Sequence, residues 1–292
     1  ADTKFSSWNI FFVNALKNAG FDVLITANNH ATDQDKAGLM RTIKVIQQNE
    51  LHYVGTAIDS ADSDSVRVLT TDSIGLGMLA YTYGTNNQLL KNSVHLNHIE
   101  SSAIADDILR ARKQGANVVL VYLHYGQENS REPSEAQQET VQQCIAAGAD
   151  IIIGCHTHVI GPIAYKKADG TAVFDSAFIA YGMGNFISNQ YWRYTDAGLY
   201  LELELERNNI MDSTYLKAVR YLPTWVYRSR NAERRHHTIL PAKWAFSDTL
   251  PDFIDTKQQV KMKEAYDDTR DILLRYSNKA TEIIPLPYTV EK

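Results

Sequence analysis

The stretch Gly148-Ala149-Asp150-Ile151-Ile152-Ile153-Gly154-Cys155-His156-Thr157-His158 decides how this chain is read. A helical segment from about Ser134 to Ala147 ends at Gly148, a short polar turn follows, and an apolar strand runs into two histidines. The same pattern occurs twice upstream. A helix from about Trp8 to Asn18 ends at Ala19-Gly20, and the strand Phe21 to Thr26 runs into Asn28-Asn29-His30. A helix from about Ser102 to Lys113 ends at Gly115-Ala116-Asn117, and the strand Val118 to Leu123 runs into His124. Glycine just past a helix supplies the left-handed residue that terminates it. Short continuous apolar runs after helices read as strands buried on both faces. The pattern is that of an α/β fold.

Open α/β sheets place their ligands just beyond the carboxyl ends of their strands. Three strand ends carrying His or Asn-His are therefore expected to converge. A fourth unit fits loosely, Phe178 to Tyr181 running into Gly182-Met183-Gly184-Asn185-Phe186. Between the first two units lie a helix around Gly38 to Gln48, with Leu39, Ile43 and Ile46 on one stripe, and strands near 66–69 and 75–81. After residue 197 the texture changes. Leu199, Leu201, Leu203 and Leu205 alternate with Tyr200, Glu202, Glu204 and Glu206, the period of a half-exposed antiparallel strand. A partner strand is expected from Tyr215 to Val226, interrupted by Pro223, then a polar loop, a helix from about Thr256 to Ser277 and a tail with Pro285 and Pro287. The expected domains are 1–227 and a C-terminal extension, 228–292, with a basic loop and a helix.

Composition narrows the class. The 292 residues are 44% hydrophobic with a net charge of −5, enough apolar material for a large core and no basic excess for nucleic acid. No apolar run reaches the roughly 20 residues of a membrane span. Cys144 and Cys155 are too few for a disulfide framework. The chain opens without Met and enters a helix almost at once, so it reads as cut from something longer.

His156-Thr157-His158 is the sharpest chemical signal: two imidazoles two apart at a strand end can face one ion or two neighbouring ions. A pair of polar loop histidines is the plainer reading. In Asn28-Asn29-His30, an Asn carbonyl can ligate a hard metal, and an adjacent His can act as general acid. An Asn-rich turn is the plain alternative. His124 is a further imidazole in the right topological place, and Glu128 can be a ligand, a base or a partner orienting a histidine. Tyr81 to Asn87, with Tyr83, Thr85 and Asn86, closes a strand with groups that can bind a polar substrate or make a turn. Arg228, Arg230, Arg234, Arg235, His236 and His237 form a basic loop, read as solvated or as a hold for a polyanion.

These motifs together resemble the bacterial capsule-synthesis proteins of the poly-γ-glutamate type, relatives of the calcineurin-like metallophosphoesterases. The resemblance covers about residues 5–227. It rests on Ala19 to Val23 leading to Ala27 to Asp33, on Gly55-Thr56, on Ala80 to Asn86, on His124 to Glu128, on Gly148 to Val159, and on Tyr181 to Phe186. It implies a metallophosphoesterase-like four-layer α/β/β/α sandwich with two metals at strand ends, here lacking its N-terminal strand or strands and carrying a C-terminal strand-plus-helix extension. It implies Asn29, His124, His156 and His158 as metal ligands, His30 as the acid that protonates the leaving group, Glu128 as a further catalytic candidate, and Asn28, Tyr83, Thr85, Asn86 and Asn185 on the substrate side. The family's Gly-Asp strand and Asn-Leu-Glu segment are not in this chain.

The resemblance further implies a divalent cofactor (Mn, Zn or Fe), two ions in the full-length protein and at most one in this chain. The expected partners are poly-γ-glutamate or another anionic capsule polymer and membrane synthase or export subunits, with no nucleic acid. The expected location is the extracytoplasmic face of the cell membrane, the family's membrane anchor being absent from this chain. Two functions stay open: a metal-dependent hydrolase, or a non-catalytic scaffold or polyanion-binding component of a synthesis complex.

Overall fold

The structure is a computed structural model that describes residues 3–63, 65–71, 73–87, 94–168, 173–229 and 236–288. The chain divides into two compact units, Ala1–His124 with Ala147–Ala149, and Tyr125–Ala146 with Asp150–Lys292.

In chain order the first unit holds α1 (Thr3–Asn18), β1 (Val23–Ile25), α2 (Asp35–Gln48), β2 (His52–Val54), β3 (Thr56–Ala57), α3 (Ser60–Ser63), β4 (Arg67–Thr71), β5 (Ile74–Thr82), β6 (His95–Leu96), α4 (Ser101–Lys113) and β7 (Val118–His124). β1 pairs in parallel with β2, and β5 pairs in parallel with β7 and antiparallel with β4. The expected helix stripe is present: Leu39, Ile43 and Ile46 of α2 are buried against Val13, Leu51 and Tyr53. Taking one such side chain out of water contributes about 1.5–3 kcal/mol. Gly20 and Gly115 end their helices in the left-handed region, at φ +90° and +94°. The following amides close the ends, Phe21 N–H donating to Leu16 O and Ala116 N–H to Ala111 O. The second helix ends the same way on a residue with a side chain, Glu50 at φ +56°, a position composition does not announce.

The second unit continues with α5 (Glu135–Ala147), β8 (Ile151–Cys155), β9 (Ile163–Lys167), β10 (Ser176–Ala180), β11 (Ala197–Asn208), β12 (Ser213–Arg228), β13 (His237–Pro241), α6 (Thr256–Leu273) and β14 (Thr281–Glu282). β10 lies parallel to β8 and antiparallel to β9. The long hairpin β11–β12 pairs from Ala197↔Trp225 to Asn208↔Ser213, and β13 and β14 both pair with β12. The α/β class is borne out in both units, and the C-terminal strand and helix are present. Residue 227, the expected domain boundary, falls inside the second unit near the end of β12.

Two expectations are corrected. Pro223 does not interrupt its strand: it pairs with Leu199, between the residues that meet β14 (Arg220, Tyr221) and those that meet β13 (Thr224 onward). No strand there requires the N–H that proline lacks, so the ladder tolerates it. The C-terminal helix stops at Leu273, not Ser277, because Arg275 and Tyr276 turn to bind Glu132. Of the basic loop, Arg230, Arg234 and Arg235 lie outside the described residues.

Candidate functional site

In the first unit the chain leaves β1 through Thr26, whose amide and hydroxyl both donate to Val54 O. Asn28 then closes a local turn, its Oδ1 accepting the His30 amide at 2.9 Å and its Nδ2 donating to Thr26 O. That turn aims Asn29 inward, where it is 6% exposed, and His30 outward. β5 and β7 end in register, Thr82 opposite His124, which brings Tyr83 and His124 to the same end.

There the side chains interlock. Asn29 Oδ1 lies 2.9 Å from His124 Nε2, and Asn29 Nδ2 donates to Asn86 Oδ1 at 3.2 Å. The Asn86 amide donates to Asn29 O. Because Asn29 Nδ2 is the donor to Asn86, its Oδ1 accepts, and His124 Nε2 carries the proton in this arrangement. The Tyr83 ring stacks on His124 with centroids 6.5 Å apart and planes 6° from parallel. Thr85 is buried, its hydroxyl held against Thr32.

His30 Nδ1 is 2.6 Å from Asp33 Oδ2 and 3.1 Å from Asn86 Nδ2. A carboxylate only accepts, so the shorter contact places the proton on Nδ1, and Asn86 Nδ2 is then a neighbour without a hydrogen bond to it. Asp33 was not among the residues expected from sequence. Its signal was present, a carboxylate three positions after a turn histidine.

In the second unit His156 is buried at φ +93° and His158 sits at φ +61°. Such conformations cost of order 1–3 kcal/mol each and persist where the surroundings over-determine them. Here Thr157 is pinned on both sides: its carbonyl accepts the Asn129 amide at 2.7 Å and its hydroxyl donates to Val159 O. The Gly182-Met183-Gly184 run packs backbone to backbone on this loop. A Cβ on Gly182 would stand 2.8 Å from Val159 O, and Gly184 takes φ +66°. That close approach delivers Asn185, whose Oδ1 is 3.0 Å from His158 Nδ1. Asn185 is itself held by Gln190 and by Thr195 O. Glu128 Oε1 lies 3.9 Å from His158 Nε2, beyond hydrogen-bond range, and both side chains are substantially exposed. The His156 and His158 rings have centroids 6.3 Å apart.

Asn28, Asn29, His30, Tyr83, Thr85, Asn86 and His124 thus gather at strand ends of the first unit, and Glu128, His156, His158 and Asn185 gather within the second. Among the described residues, no group of three or more His, Cys, Asp or Glu side chains is gathered to hold a metal ion. The donor chemistry still fits part of a shell. The Asn29 amide oxygen is of a type that holds hard divalent ions, and the His124 imidazole of a type that would hold Mn, Zn or Fe once its Nε2 proton had left.

An α/β protein with amide and imidazole side chains at its strand ends is the class that fold and site define. The chain matches the family described as bacterial capsule synthesis protein PGA_cap over residues 6–190, and it belongs to that family. It is 33% identical over 207 residues to capsule biosynthesis protein CapA of Bacillus anthracis, covering 67% of this chain and 47% of that one. It is 30% identical over 199 residues to PGA biosynthesis protein CapA of Bacillus subtilis (strain 168), covering 67% and 50%. The chain spans about half the length of these curated relatives. Among solved structures, it aligns with the NAD nucleotidase of Haemophilus influenzae at TM-score 0.46 and 13% identity, over 88% of this chain and 52% of that one. It aligns with the calcineurin-like phosphoesterase YfkN of Bacillus subtilis at 0.45 and 12%, over 91% and 77%. At these scores neither likeness carries an argument. No helix among the described residues is long and apolar enough to cross a membrane.

Proposed function

We propose that this capsule-biosynthesis protein is a metal-dependent hydrolase in which His30 protonates the leaving oxygen of a phosphoester or capsule-polymer bond. The observation that carries the reading is the His30–Asp33 pair. Asp33 accepts from Nδ1 at 2.6 Å and fixes the ring, leaving Nε2 of an exposed imidazole to exchange a proton with substrate. In the step, a water oxygen bonds to the electrophilic centre and gives up a proton to solvent, the bond to the leaving oxygen breaks, and that oxygen takes a proton from Nε2 of His30, the Nδ1 proton staying with Asp33.

Asn29 and His124 would supply two adjacent donors to a divalent ion, Mn, Zn or Fe, in the first unit, and His156 and His158 would supply two imidazoles to such an ion in the second. Bound at either pair, the ion would lower the pKa of a coordinated water and stabilise charge on the substrate oxygen. Tyr83 keeps the His124 ring in place by stacking, and Asn86 holds Asn29 twice, accepting from its Nδ2 and donating a backbone amide to its carbonyl. The substrate is poly-γ-glutamate or another anionic capsule polymer, handled with membrane synthase or export subunits at the extracytoplasmic face.

The full-length protein carrying His30→Asn tests this. Metal content is expected to stay intact while phosphodiester or polymer hydrolysis falls by roughly 10²–10⁴-fold. Loss of metal with activity makes His30 a ligand, and unchanged activity removes it from the mechanism. The hydrogen bond by which Asn29 and His124 satisfy each other at 2.9 Å favours a second reading, a non-catalytic scaffold or polyanion-binding component of the synthesis complex. Full-length protein that holds no metal and hydrolyses neither substrate would establish it.

A further inference from the structure

Partners approach both ring nitrogens of His158 from two loops, and a single residue of α6 holds those loops. On the Nδ1 side stands Asn185, tied by Nδ2 to Thr195 O at 2.9 Å. Thr195 closes its loop by donating from its amide and hydroxyl to Trp192 O. Between them Arg193 reaches Asp268 with two parallel bonds, Nε to Oδ2 at 2.9 Å and Nη2 to Oδ1 at 2.8 Å. On the Nε2 side stands the loop of Glu128 and Asn129, the latter donating to Thr157 O. Three residues beyond Glu128, Arg131 donates to the Asp268 carbonyl and lies over the Tyr194 ring at 4.4 Å. Glu132 binds Arg275 and Tyr276 just past the helix. The Asp268 side chain is only 16% exposed, so its carboxylate is poorly placed to exchange Arg193 for water.

We propose that Asp268 is a positioning residue for His158, joining through Arg193 and Arg131 the two loops that set the imidazole. The proposal rests on the reading of His158 as a functional side chain. It makes the C-terminal helix, which lies beyond the 6–190 span of the family match, part of how the site is built. Bidentate arginine–carboxylate pairing fixes orientation as well as distance, which a single point contact does not.

The test is amide exchange and His158 ring NMR on the 292-residue chain. Asp268→Asn is expected to speed exchange at Asn185 and Thr195 by roughly tenfold and to broaden or shift the His158 signals, while Asn129, whose loop Arg131 ties to the Asp268 backbone carbonyl, keeps its protection. Amides of β11 and β12 should keep their protection. Asp268→Glu, which retains the charge, should restore most of both signatures. Unchanged Asn185 and Thr195 amides in the Asn variant would overturn the proposal. So would acceleration spread equally through β11 and β12, which marks a packing role only. Should Asp268→Asn fail to fold, Arg193→Lys removes the parallel bonds while keeping the charge. It should show the same pattern, and its absence there overturns the proposal equally. No turnover is measured, so failure of the His30 reading and failure of this one are separately visible.

Discussion

Asn29 and His124 stand 95 positions apart in the chain and meet at 2.9 Å, Oδ1 to Nε2. The contact joins the end of β1 to the end of β7, and Asn29 extends it to Asn86. One buried amide thereby ties three segments together.

Asn29→Ala removes the Asn29 partners of His124 and Asn86 at a site that is 6% exposed. Leaving buried polar groups without them costs about 1–3 kcal/mol. Urea denaturation should show that loss with an unchanged m-value. A change under 0.5 kcal/mol would mean that water replaces the amide freely.

Asp33→Asn separates orientation from folding. Both members of the His30–Asp33 pair are substantially exposed, so stability should move by less than about 0.5 kcal/mol. Turnover of the full-length protein should fall by roughly 10- to 100-fold with KM little changed, as expected when a group acts through the general acid. A rise in KM at constant kcat would instead place Asp33 in substrate binding.

Asp196 gives a pH signature. Burial raises its pKa above the ordinary 3.8, against the lowering effect of the Trp225 indole N–H that donates to it at 3.0 Å. The folded state therefore holds this proton more tightly than the unfolded chain. Its contribution is fully present below the unfolded pKa and is lost as pH rises from about 3.8 through the folded value. Asp196→Asn keeps an acceptor for Trp225 and removes the titration. The variant should match the parent near pH 3 and be the more stable of the two at pH 7, read by denaturant midpoints at both pH values. A difference independent of pH would show that the carboxylate is no more protonated when folded.

The helix–glycine–strand periods were legible because they are local. A left-handed glycine, an apolar run and a turn residue each act within a few positions of themselves, so Gly20, Gly115, β7 and β8 lie where their neighbours require. Family membership was legible for the same reason, since its motifs are short runs at strand ends. Glu50 ended a helix without a glycine to announce it, and Pro223 stayed in its strand because of a gap between β13 and β14. Both depend on which strands lie alongside.

The sequence alone therefore determined the α/β class, the strand ends and the residue types displayed there. The tertiary structure alone decided which of those residues touch. Asn29 with His124, Asn185 with His158, and Asp268 with Arg193 are separated by 95, 27 and 75 positions. Each pairing depends on strand register, on backbone approach within a few tenths of an ångström, and on which loops a distant helix holds. Local propensity carries no information about distances of that kind, because they arise only once the chain is packed.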